Sequence, residues 1–119
     1  MDQTRLVVRD RDTWVQVWSR INRPPEPPLP EIDFAREMLV VAAMGWRPSS
    51  GYRIIIEKAY LHEQYPRLEV VVRSIDNSKC PGLGHFTVIT APIDIVRLPQ
   101  TDRGVVFREI EAPDCPKVK

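Results

Sequence analysis

Five prolines stand within the stretch Arg23-Pro24-Pro25-Glu26-Pro27-Pro28-Leu29-Pro30, and no other feature constrains the fold of this chain as strongly. Proline lacks an amide hydrogen and holds φ fixed, so this stretch fits neither a helix interior nor an inner strand. It must run as an extended polyproline connection. The other seven of the 12 prolines are spread over positions 48, 66, 81, 92, 99, 113 and 116, where they punctuate turns, strand ends and the tail.

On the N-terminal side of the connector, Leu6-Val7-Val8 is strand-like. Asp10 then stands where a helix cap belongs, ahead of Trp14, Val17, Trp18 and Ile21 at i, i+3, i+4 and i+7. These four predict one buried stripe on a helix over about 10–22, with Arg11, Asp12, Gln16, Ser19 and Arg20 on its other face. Beyond the connector, apolar runs over 38–46, 52–61, 68–74, 85–90, 93–98 and 105–110 read as strands, the first two as neighbours joined by a turn at 47–51. Strands at short spacing without βαβ alternation predict a single α+β, mostly β domain spanning 1–119. The expected architecture is a mostly antiparallel sandwich or partly open barrel of six or seven strands. One N-terminal amphipathic helix plugs an end or covers a face, the β-rich body occupies 33–111, and 112–119 forms a tail.

Composition excludes some partners and weakens others. With 17 basic and 16 acidic residues the formal charge is +1, which gives no electrostatic footprint for a nucleic acid. The longest apolar run, 38–44, is far short of the about 20 residues a membrane helix needs. The opening residues carry no signal-peptide pattern, which predicts either a cytosolic chain or a mature segment.

Catalytic side chains are scarce. His62 and His85 are the only histidines. His62-Glu63-Gln64-Tyr65 starts like a zinc-protease motif but has Pro66 where the second histidine belongs. Cys80, Cys115 and the two histidines have zinc-ligand chemistry without zinc-site spacing, so no metal and no cofactor are expected. Cys80 with His85 is the only conceivable nucleophile and base, and no orienting group can be named for it. Cys80 and Cys115 can form one disulfide or stay reduced. Gly82-Leu83-Gly84 is too short for a phosphate cradle. Asp10 is read as a cap and Asp33 as a turn former. Pro27-Pro28-Leu29-Pro30 has the form of a ligand for aromatic grooves, but it is read as a spacer between helix and first sheet strand, which explains it without a partner.

The richest candidate surface is Trp46-Arg47-Pro48-Ser49-Ser50-Gly51-Tyr52, where tryptophan, arginine and tyrosine, the side chains enriched at binding hot spots, cluster at one turn. The competing reading is a Trp46–Tyr52 pair that closes the end of the core.

The same turn carries a resemblance. Pro30-Glu31-Ile32-Asp33-Phe34, the strand at 38–44 with Gly45, and Arg47-Pro48-Ser49-Ser50-Gly51-Tyr52-Arg53-Ile54 resemble the C-terminal domain of PrcB, a subunit of a bacterial extracellular protease complex. That family has a P-x-I-D-F segment and a G-x-x-P-T-G-G-Y-x-I turn. The likeness extends to 7–18, to Pro81-Gly82 and to Ala91-Pro92-Ile93-Asp94-Ile95-Val96-Arg97-Leu98-Pro99, with Ser49-Ser50 and Ile93 as departures. It implies a non-catalytic, extracytoplasmic domain that associates with or stabilises a subtilisin-like protease. A thinner likeness links Pro48-Ser49-Ser50-Gly51-Tyr52 and the loop with Gly82 and Gly84 to chagasin-type peptidase inhibitors. The expected function is therefore protein binding through Trp46 to Tyr52 together with Gly82 and Gly84. A small-ligand barrel and a peptidase inhibitor stand as alternatives.

Overall fold

A computed structural model describes residues 2–62, 64–78, 80 and 89–111. Six strands and one helix follow in the order β1 (Thr4–Val8), α1 (Arg11–Ile21), β2 (Glu37–Ala43), β3 (Tyr52–Leu61), β4 (Arg67–Asp76), β5 (Ile93–Pro99) and β6 (Gly104–Glu111). They form two three-stranded sheets, β1-β2-β5 and β3-β4-β6. The result is a mostly β sandwich with one helix on an outer face. The strand expected at 85–90 lies largely outside the described residues. Of it, Thr90 forms an isolated bridge with Arg47.

One expectation is corrected. β2 and β3 are not neighbours: β1 and β5 pair with β2 on its two sides, so the chain leaving β2 has no free edge to return to and crosses to the other sheet. The sheets are mostly antiparallel, as expected: the β1–β2, β2–β5 and β3–β4 pairs run antiparallel, and β6 runs parallel to β4 over Arg67–Ser74 paired with Gly104–Glu111.

β2 explains the continuous apolar run at 38–44, since a strand covered on both faces has no polar alternation. Met38, Val40, Ala42 and Met44 face the second sheet and meet Ile54, Ile56, Leu68, Val70 and Val72. Leu39 and Val41 point the other way, into a cluster with Val8, Trp14 and Val17. The helix begins at Asp10, whose carboxylate accepts the Thr13 N–H at 2.8 Å, and ends where Asn22 donates its backbone N–H to the Trp18 carbonyl. The connector then doubles back beneath it. The Trp14 and Trp18 indoles donate to the carbonyls of Pro30 and Pro27 at 3.0 and 2.9 Å, and Leu29 packs against the helix cluster. The proline segment is thus a strap under its own two tryptophans. At its end Asp33 accepts the Ala35 N–H, and the chain turns into β2.

Side chains, not ladders, join the edges of the sandwich. At one edge Arg5 of β1 grips Glu109 of β6 with Nε and Nη2, the closest contact being 2.7 Å, while Nη1 reaches the Thr4 and Ala43 carbonyls. Arg9 adds hydrogen bonds to the Thr101 and Arg103 carbonyls. At the other edge Asp94 Oδ2 of β5 accepts the Ile56 N–H of β3 at 2.8 Å, beside a bulge between Ile56 and Lys58. Asp94→Ala leaves that N–H without an acceptor. It is expected to destabilise the fold by about 1–3 kcal/mol, as read from urea unfolding, with Asp94→Asn recovering part of the loss.

Candidate functional site

The two ends of the sandwich differ in chemistry. At the end where β2 crosses to β3, Gly45 is buried with φ +77°, a left-handed turn that glycine enters freely, and a Cβ there would stand 3.0 Å from the Gln3 nitrogen. Arg47 and Thr90 exchange both backbone hydrogen bonds at 2.8 Å. Thr90 Oγ1 donates to the Ser49 carbonyl at 2.8 Å, Ser49 Oγ accepts the Gly51 N–H at 3.2 Å, and Gly51 O accepts the Asn77 N–H at 2.7 Å. Three chain segments, 45–52, 77–78 and 89–92, are therefore locked together. Gly51 serves this closure by its size: its φ is not positive, and a Cβ would come within 2.9 Å of the Ser78 backbone.

Trp46 and Tyr52 do not form a pair. Tyr52 pairs with Asp76 in the ladder, packs against the inter-sheet core and lies under the Arg47 guanidinium, 5.7 Å from its ring centre. Trp46 is 56% exposed. The bridge explains the separation. With Arg47 and Thr90 directly opposite, their neighbours Trp46, Pro48, Ile89 and Ala91 stand on the other face of this two-strand ribbon, and all four are exposed. Ile89, 70% exposed, extends the surface beyond the residues singled out in the sequence. The available signal was the alternation of Ile89 and Ala91 about Thr90.

The remaining predicted residues divide. Arg47, Ser49, Gly51 and Tyr52 build the support of this surface, Pro48 belongs to its face, and Ser50 is exposed at the turn. The Arg47 Nε is buried without a hydrogen-bond partner. Cys80 is buried and disulfide-bonded, so it holds no thiolate in this structure. Gly82, Gly84, His85 and Cys115 lie outside the described residues.

At the opposite end stands a polar cluster around one carboxylate that sequence reasoning missed. Glu69 is nearly buried on the outer face of β4, where it accepts the Tyr60 hydroxyl at 2.5 Å and Arg67 Nη2 at 3.2 Å, with His62 Nε2 at 3.8 Å. The Tyr60 hydrogen bond holds the Glu69 carboxyl below the ordinary carboxylate range, against the opposing effect of burial, and the same bond raises the Tyr60 phenol. Such a fully partnered acid clamps β3 to β4 and offers no reactive group. Because its folded pKa lies below the unfolded one, its stabilisation is complete above about pH 5 and is lost as pH falls through the folded value. Glu69→Gln is expected to reduce the drop in thermal midpoint between pH 6 and pH 3, measured by circular dichroism.

Among the described residues no group of three or more histidines, cysteines and carboxylates is placed to hold a metal, and no helix is long and apolar enough to cross a membrane. No protein-family model, curated protein or solved structure matches this chain.

Proposed function

We propose that this chain is a non-catalytic protein-binding module that docks through the apolar face of the 46–48 and 89–91 ribbon. The observation that carries this reading is Trp46, a large aromatic left more than half exposed on a backbone fixed by hydrogen bonds from three segments. A rigid aromatic anchor loses little conformational entropy on binding, and tryptophan is enriched at interface hot spots. Pro48 stiffens the same face. Met38, Val40 and Val70 fill the space between the sheets with no exposure, which favours an external protein surface over an internal small-ligand chamber.

The resemblance to the PrcB C-terminal domain proposes a subtilisin-like protease as the partner. The chagasin likeness points to the same loops and to a peptidase, with inhibition in place of association. Recovery of partners from source-cell extract, quantified by mass spectrometry, compares wild type with Trp46→Ala/Ile89→Ser. The double variant is expected to keep its thermal midpoint and to lose the partner by about tenfold or more, as hot-spot truncations do. Equal recovery by a folded double variant removes this surface from the function.

A further inference from the structure

We propose that the far end of the sandwich, between β3 and β5, is a strand-addition site for an extended peptide segment of a partner with apolar side chains at alternate positions. Among the described residues the Asp94 to Ile56 hydrogen bond is the only one that joins the two edges, and no backbone hydrogen bond runs between β3 and β5. Past that staple they enclose a groove of about 380 Å³ floored by Ala59, Leu61, Leu68 and Leu98, with Tyr60 and Thr101 at the rim. Leu61 is 53% exposed there.

Ladder alternation says which backbone groups face this groove. His62 donates its N–H to the Arg67 carbonyl at 2.9 Å, so 62 and 67 are a hydrogen-bonded pair. The register continues without a break through Leu61 with Leu68, Tyr60 with Glu69 and Ala59 with Val70. Hydrogen-bonded and non-hydrogen-bonded pairs alternate in an antiparallel ladder, so Ala59 and Leu61 direct N–H and C=O away from β4, toward β5. On β5, Gln100 N–H reaches the Arg36 carbonyl and the Pro92 carbonyl receives the Met44 N–H. The residues turned outward are therefore Arg97 and Pro99. Pro99 has no N–H, which protects that edge, whereas β3 carries no proline at 59–61.

A row of backbone donors and acceptors above an apolar floor selects an extended peptide. Pairing with β3 satisfies Ala59 and Leu61, while alternate apolar side chains enter the groove. A small apolar molecule fills the groove but leaves that row unpaired.

The test titrates the full chain with a capped hexapeptide of alternating valine and threonine, followed by amide correlation NMR. The control peptide is N-methylated at every second residue. The expected result is saturable shifts of the Ala59 and Leu61 amides, with affinity reduced about tenfold or more by N-methylation and by Leu61→Asp in a chain that keeps its thermal midpoint. Unshifted amides, or equal binding of the N-methylated peptide, overturn the proposal. Concentration-dependent shifts of these amides without peptide also overturn it, by assigning the edge to a second copy of the chain.

Discussion

Trp14→Ala is expected to lower stability by about 3–5 kcal/mol, the range for removing a buried aromatic side chain. Trp14 is 3% exposed, lies in the cluster with Val8, Val17, Leu39 and Val41, and stacks at a tilt on Trp18 with ring centres 5.4 Å apart. Its loss opens a cavity between helix and sheet and strips the Pro30 carbonyl of its donor. Trp14→Phe keeps most of the volume and loses that hydrogen bond, so its expected cost is smaller, about 1–3 kcal/mol. Urea unfolding in one buffer measures the series. Limited proteolysis supplies an independent readout, because the connector held by Trp14 and Trp18 is expected to be cut faster in Trp14→Ala than in wild type. An unchanged urea midpoint for Trp14→Ala contradicts the helix-strap packing.

Glycine-to-alanine substitutions are expected to separate by what a Cβ meets. Gly51→Ala places that carbon 2.9 Å from two Ser78 backbone atoms. Neither atom belongs to a flexible side chain, so the 77–78 segment must move, at a cost of about 1–3 kcal/mol for overpacking. Gly45→Ala meets the Gln3 backbone and also enters a left-handed conformation, whose own cost is about 1–2 kcal/mol. Gly104→Ala is the internal control: nothing lies within 4 Å of its Cβ position and its φ is not positive. It is expected to be neutral or stabilising by up to about 1 kcal/mol through the unfolded chain. Thermal melts rank the three. Gly51→Ala carries a second consequence, displacement of the Trp46 ribbon, so partner recovery is expected to fall further than its stability loss explains.

Local order was legible because its causes are local. Asp10 before an i, i+3, i+4, i+7 stripe defines α1, and 52–61 reads as a strand to the residue. The pairing of those strands was not legible. A continuous apolar run such as 38–44 signals burial on two faces without saying which strands supply the neighbours. Proline and glycine near 47–51 suggest a hairpin as readily as a crossover. The parallel β4–β6 pair has no sequence signal, since parallel and antiparallel partners present the same alternating faces. At the candidate site, residue types marked Trp46 and Pro48. Their separation from Tyr52 followed from one long-range bridge, Arg47 with Thr90, 43 positions further along the chain. Asp94 and Glu69 were hidden for the same reason: their partners, Ile56 and Tyr60, are brought to them by the fold.

Trp46 is proposed to lie in the partner interface. The most direct measurement replaces Trp46 with a photo-crosslinking amino acid in the source cells and compares it with the same group at Val15, an exposed site on α1 at 41%. Mass spectrometry then identifies the covalent partner. One abundant protein is expected to crosslink from position 46, with a subtilisin-like protease as the expected identity, and none of it from position 15. Equal crosslinking from both positions, or none from position 46 while the folded chain still recovers a partner, contradicts this expectation.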